Sequence, residues 1–224
     1  MYKHLLALLF ALFLITACTS QSTVYSPTPA LVAEISRETA ALVLPDGRIY
    51  CSAVWIDRDR LLTAAHCVRA SQMLQMFGIE PMFQASEDAK PELVVEVLKY
   101  DVDHDLALLR APTKYLHGSA ALATFTPSKG EIVHVVGHPG AIPWAYVHGY
   151  VSAYLPEDFF GSQPGATGPF MQLSAPIFKG HSGAAVFDAN GNIVGIVSRA
   201  SEKIPDVAIV VHLDTVRKFL NERP

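Results

Sequence analysis

Charge is scarce in this chain of 224 residues. Lysine, arginine, aspartate and glutamate together make up 17% of it, and the formal net charge is −4. No basic patch stands out, so nucleic acid is not an expected partner. No run of five like charges occurs, so no charged tail is indicated. The apolar run from Leu5 to Ala17 has only 13 residues, too short to span a bilayer comfortably. Cysteine is limited to three residues, and no internal repeat is visible. His104, His134, His138, His181 and His212 are scattered. His134 and His138 are four apart, but in a stretch that reads as strand and turn, so they do not share one helical face. Neither a metal nor a cofactor is expected.

Apolar residues, in contrast, fill half the sequence. The length suits one domain of about 200 residues or two small fused barrels. From Leu31 onward the pattern is short apolar runs broken by turns: 40–44, 49–56, 61–63, 93–98, 106–109, 132–136, 146–153, 184–187, 193–197 and 207–211. Runs at this spacing, rich in β-branched residues, predict an all-β sandwich or barrel. Two short helices are expected, one turn over 64–68 and a C-terminal one over 214–221 capped by Asp214. Residues 156–169, rich in glycine and proline, read as a long surface loop.

The N-terminus reads as a targeting segment. Lys3 and His4 precede the apolar run, as in a secretory signal. The run ends Leu14-Ile15-Thr16-Ala17-Cys18, which resembles a bacterial lipobox. The resemblance implies a signal peptide over 1–17, a lipidated Cys18 that ties the chain to a membrane, and a mature charge of −5 from 16 basic and 21 acidic residues. An ordinary signal peptide cut near Ala17, or an uncleaved anchor, is the alternative. Residues 18–30 are small, polar and proline-bearing, a composition suited to a tether. The folded domain is expected over 31–224. Export makes disulfides possible. With Cys18 lipidated, Cys51 and Cys67 remain either to pair or to stay as buried thiols. Thr19 after Cys18 implies the periplasmic face of the outer membrane in a Gram-negative host, and otherwise the outer face of the cell membrane.

Three stretches carry the chemistry. They are Leu61-Leu62-Thr63-Ala64-Ala65-His66-Cys67, then Asp103-His104-Asp105-Leu106-Ala107-Leu108-Leu109, then Phe178-Lys179-Gly180-His181-Ser182-Gly183-Ala184. A serine hydroxyl needs a base to become a nucleophile, and the oxyanion it creates needs converging N–H groups. In order and spacing these blocks resemble the catalytic blocks of chymotrypsin-like serine proteases. Val136-Gly137-His138-Pro139-Gly140, Gly149-Tyr150-Val151-Ser152-Ala153 and 188–196 resemble the HtrA/Deg-type bacterial proteases in particular. The likeness covers about residues 35–215, and no PDZ domain is expected in the residues that remain.

The resemblance implies two six-stranded antiparallel Greek-key β-barrels, over about 31–125 and 126–212, with the active site in the cleft between them and a helix over 213–222. It implies His66 as base, Asp105 as its orienting acid in preference to Asp101 and Asp103, and Ser182 as nucleophile. The N–H groups of Gly180 and Ser182 would form the oxyanion hole, and Cys51–Cys67 a disulfide. By offset from the serine, Pro176 and Ile177 are expected at the base of the substrate pocket and Ser198 to Ala200 on its wall. No acid is among them, so small or medium apolar side chains are expected there in protein or peptide substrates. The alternative is an Arg199 that attracts an acidic side chain.

Two departures stand out. His181 replaces the aspartate by which animal digestive proteases sense a newly cut N-terminus, so no activation of that kind is expected. Ala184 replaces a second glycine, which predicts mild backbone strain if φ is positive there. The rival functional reading is a catalytically weak binding or chaperone module on the same fold. An α/β-hydrolase esterase is disfavoured by the order of the three residues.

Overall fold

The computed structural model describes residues 27–78, 82–93, 96–111, 119–161 and 165–222. Cys18 and the proposed signal segment lie outside these residues. Among the described residues no helix is long and apolar enough to cross a membrane.

Thirteen strands among the described residues form two lobes. The N-terminal lobe holds β1 (Thr39–Val43), β2 (Ile49–Trp55), β3 (Arg60–Thr63), β4 (Met82–Gln84), β5 (Glu92–Leu93), β6 (Glu96–Asp101) and β7 (Leu106–Arg110), in the order β5-β4-β1-β2-β3-β7-β6. The C-terminal lobe is a closed barrel of β8 (Ile132–Gly137), β9 (Ala145–Leu155), β10 (Phe170–Ser174), β11 (Ala185–Phe187), β12 (Ile193–Ala200) and β13 (Val207–His212), in the order β10-β13-β12-β11-β8-β9. All described pairings are antiparallel within these sheets. The C-terminal barrel has the six strands expected. The N-terminal sheet has seven, because the short β4–β5 hairpin extends it past β1, and its two edge strands are not joined among the described residues.

Period-two alternation decides which core each side chain enters. On β7, Leu106 and Leu108 join the cluster shared by both lobes, with Val54, Leu62, Val136, Phe187, Ile193 and Ile196. Ala107 and Leu109 point the other way, into the N-terminal lobe beside Trp55, Leu61 and Phe83. The C-terminal barrel has its own filling of Val133, Val135, Met171, Leu173, Val186 and Val210. One cluster therefore cements the lobes together along the line where the three motif blocks meet.

Helix α1 (Pro29–Arg37) begins two residues inside the segment expected to be a tether. Thr28 Oγ1 accepts the Leu31 N–H at 3.2 Å, Pro29 fills the first turn, and Leu31 and Ile35 are buried. Helix α2 (Ala65–Met76) runs for 12 residues rather than one turn. Helix α3 (Leu213–Asn221) lies where expected and buries Val216 and Phe219. Its cap is His212, whose Nδ1 accepts the Asp214 N–H at 3.2 Å, in place of Asp214.

Candidate active site

His66 sits in the first turn of α2, where backbone N–H groups have no helical partner. Asp105, the residue just before β7, supplies one. Its Oδ1 accepts the His66 N–H at 2.9 Å, so the carboxylate caps the helix that carries the imidazole. The same carboxylate accepts the His66 Nδ1–H, at 3.0 Å to Oδ1 and 2.9 Å to Oδ2. Ser198 Oγ donates to Oδ2 at 2.6 Å. Asp105 is 4% exposed, so three donors surround a charge otherwise screened from water. Its φ of 56° falls in the left-handed region, which aspartate tolerates better than most residues. Asp101 is spoken for, since His104 donates to it from its backbone N–H at 3.0 Å and pairs through Nδ1 at 2.7 Å.

Ser182 faces the same cavity as His66 and Asp105, a cleft of about 770 Å³. Its hydroxyl donates to the Ser198 carbonyl at 3.3 Å in this state. Catalytic hydrogen bonds are often long or unformed in substrate-free sites and tighten only when substrate binds. The carbonyl of Ser182 accepts the Ser52 N–H at 2.8 Å, which ties the serine loop to β2 of the other lobe.

The turn before the serine runs from Phe178 to His181 and is closed by the His181 N–H on the Phe178 carbonyl at 3.1 Å. Gly180, third in the turn, has φ 103°, which a type II turn requires. A Cβ there would lie 2.0 Å from the His138 carbonyl oxygen, so only glycine fits. Gly183 takes φ 83°, and a Cβ would meet Ser52 O and Thr63 Oγ1 at 2.2 Å each. Ala184 is not among the residues with positive φ, and its N–H donates to the His181 carbonyl at 2.8 Å. The strain expected at Ala184 is absent because the left-handed position falls on Gly183.

His181 is fully buried, with the Phe178 N–H donating to its Nδ1 at 3.1 Å. Burial pushes its pKa down to about 4 and that of nearby His138 to about 3, the latter also through His181. Both rings are therefore neutral near pH 7. Cys51 and Cys67 are bonded to each other, with Cα atoms 6.2 Å apart, and anchor α2 beside His66. Their sulfurs and His66 lie within 4.8 Å of one another. Joined in a disulfide, the two sulfurs do not present thiolates to a metal.

The pocket corrects the offset argument at two points. Ile177, Ser198 and Ala200 line the cleft, but Pro176 is exposed and lies outside the lining. The hydroxyl of Ser198 is committed to Asp105. The approach is also not free of acid: Glu202 and Asp206 line it, alongside Lys203, from the turn between β12 and β13. Linear offset from the serine could not find them, because pairing of β12 with β13 brings that turn over the pocket. Arg199 donates to the Gly165 carbonyl and lies 5.4 Å from the Phe160 ring centre, which holds its guanidinium against the 156–169 loop.

A two-lobed β fold with an aspartate–histidine pair and a serine turn in the interlobe cleft defines a peptidase-like scaffold. Residues 51–196, well over half the chain, match the trypsin-like peptidase domain, and the chain belongs to that family. It is 28% identical over 150 residues to the serine protease Rv3671c of Mycobacterium tuberculosis, covering 65% of this chain and 35% of that protein. It is 25% identical over 174 residues to the chloroplastic protease Do-like 1 of Arabidopsis thaliana, covering 75% and 38%. The chain thus spans little more than a third of the length of these curated relatives. In fold it resembles the crystal structure of Rv3671c in an inactive form, with a TM-score of 0.70 at 22% identity over 88% of this chain and 93% of that one. It also resembles the HtrA-type protease AlgW with a tripeptide, with a TM-score of 0.70 at 20% identity over 87% and 62%.

Proposed function

We propose that the protein is a serine endopeptidase in which Ser182 attacks the scissile carbonyl, His66 takes and returns the proton, and Asp105 fixes the imidazole. The observation that carries this reading is the Asp105 carboxylate on His66 Nδ1 at 2.9 Å, in the cleft that Ser182 lines. With Nδ1–H committed to Asp105, Nε2 is the basic nitrogen that would take the serine proton. Ser182 attack would give a tetrahedral oxyanion, then an acyl-enzyme as His66 protonates the leaving amine, then hydrolysis by water. Among the described residues the N–H groups of Gly180 and Ser182 have no acceptor, which suits them to hold the oxyanion.

The domain extends from the start of α1 to the end of α3. Cys18 carries lipid and tethers it to the outer membrane of a Gram-negative cell, or to the outer face of the cell membrane otherwise. In that oxidising location the Cys51–Cys67 disulfide persists. With His181 buried and neutral, no freshly cut N-terminus is needed to form the site. Substrates are proteins or peptides with a small or medium apolar side chain against Ile177, Val197 and Ala200. Preferential cleavage after lysine or arginine in a peptide library would overturn that preference and point to Asp206.

The test is covalent labelling with a fluorophosphonate at pH 8, comparing wild type with Ser182→Ala. Labelling confined to the wild type is the expected result. An unlabelled wild type sinks the endopeptidase reading and favours a binding module on the same fold.

A further inference from the structure

The turn that presents Gly180 is held by groups that the proposed mechanism does not use. A trans peptide points its N–H and C=O in opposite directions, so fixing a carbonyl aims the N–H across the plane from it. The Lys179 carbonyl accepts the Gly140 N–H at 2.8 Å, which sends the Gly180 N–H the other way. The next plane is held by a side chain: Ser52 Oγ lies 2.7 Å from the Gly180 carbonyl and 2.8 Å from His138 Nδ1. A carbonyl can only accept, so the single hydroxyl proton of Ser52 goes to Gly180. The hydroxyl oxygen then accepts, and His138 must carry its proton on Nδ1.

We propose that Ser52 and His138 are positioning residues for the oxyanion turn, acting as a buried relay from His138 Nδ1–H to the Ser52 hydroxyl to the Gly180 carbonyl. This rests on the protease reading above and goes beyond it. Both side chains are fully buried. Ser52 also gives its backbone N–H to the Ser182 carbonyl at 2.8 Å, so one residue of the N-terminal lobe grips both ends of the Gly180–Ser182 segment. The His138 ring is itself propped. Trp144 packs edge-on against it with centroids 4.6 Å apart, and Trp144 Nε1 donates to the carbonyls of Ser36, in the last turn of α1, and Thr39, at the start of β1. A Cβ on Gly137 would stand 2.7 Å from His181 Cδ2 and 3.1 Å from Ser52 Oγ, so the glycine before His138 makes room for the relay. Without the hydroxyl, Gly180 keeps a buried carbonyl with no donor. Glycine is the residue most free to turn such a carbonyl elsewhere.

The test is the second-order rate of fluorophosphonate labelling of Ser182 in Ser52→Ala, His138→Leu and His138→Asn, beside melting temperatures. The asparagine amide stands close to where Nδ1–H stood and can donate to Ser52, whereas leucine cannot. Labelling about 10- to 100-fold slower is expected in Ser52→Ala and His138→Leu, and His138→Asn should recover most of the rate. Wild-type rates in folded Ser52→Ala would overturn the proposal, as would equal losses in the two His138 variants. Nitrogen NMR of histidine-labelled wild type reads the relay without activity: Nδ1 of His138 should be protonated and Nε2 bare, and the opposite tautomer overturns it. An unlabelled wild type counts against the protease reading, and the tautomer then decides the relay alone.

Discussion

Asp105 is where the chemistry concentrates most tightly. Its carboxylate receives the His66 N–H, the His66 Nδ1–H and the Ser198 hydroxyl, and little of it faces water. Asp105→Asn puts an N–H donor where all three neighbours donate. One of them must turn away, and the imidazole is the one free to change tautomer. Peptidase kcat should fall by about 10⁴-fold, as removal of this charge does in the same constellation elsewhere, with the fold retained by circular dichroism. Ser198→Ala removes one buried donor and should destabilise by about 1.5–3 kcal/mol, read as a lower urea midpoint, while retaining more activity than Asp105→Asn. The three side chains proposed to carry the reaction were legible in the sequence because each sits in a contiguous block whose neighbours are strand or helix residues. Ser198 was legible only as a position. That its hydroxyl turns to Asp105 and not to the pocket depends on how β12 crosses behind the cleft, and no local pattern encodes that crossing.

The element that the sequence concealed is α1. Its signal was present, since Thr28-Pro29 is a cap followed by a first-turn proline. It was hidden by the proline-bearing, polar composition of the preceding segment. The helix ends at Glu38, which is 7% exposed and leaves Oε2 without a partner among the described residues. Burial, with help from Glu34, pushes its carboxyl up to about 7. For an acid raised in the fold, the folded state keeps a proton that the unfolded chain releases. Stability is therefore full below the unfolded value of about 4.3 and declines as pH rises toward 7. Glu38→Gln should raise the urea midpoint at pH 8 by the equivalent of about 1–3 kcal/mol and leave it unchanged at pH 4. An equal shift at both pH values would mean that the carboxyl is not buried in the folded state. The disulfide is a second device at this scale. Its sequence separation of 16 places reduction at about 3 kcal/mol of lost stability, which should show as a lower melting temperature in reductant together with slower labelling of Ser182, because α2 carries His66.

Across the whole molecule, the two lobes meet through one shared core and one buried polar seam, and the seam sets how the protein responds to acid. The shared core was foreshadowed by alternating runs such as Leu106 to Leu109. The seam was not, because Ser52, His138 and His181 lie far apart in sequence and meet only when the lobes close. His138 and His181 are neutral in the fold, with pKa values pushed down to about 3 and about 4 by burial, and burial lowers His134 and His212 as well. An unfolded histidine takes a proton near pH 6.5. Below that pH the unfolded chain binds protons that the fold refuses, so stability is complete above about 6.5 and falls as pH drops toward 4. Glu38 works in the opposite direction over part of the same range. Two strongly depressed imidazoles outweigh one raised carboxyl, so the sign is set by the histidines. Each net proton is worth about 1.4 kcal/mol per pH unit. Urea midpoints measured from pH 4.5 to 6.5 should therefore rise with pH, and the slope should be shallower in His138→Asn, which lacks one of the two groups. A wild-type midpoint that is highest near pH 5 would mean that the imidazoles accept protons inside the fold. In that case the neutral seam joining the lobes behind the serine turn does not exist in solution.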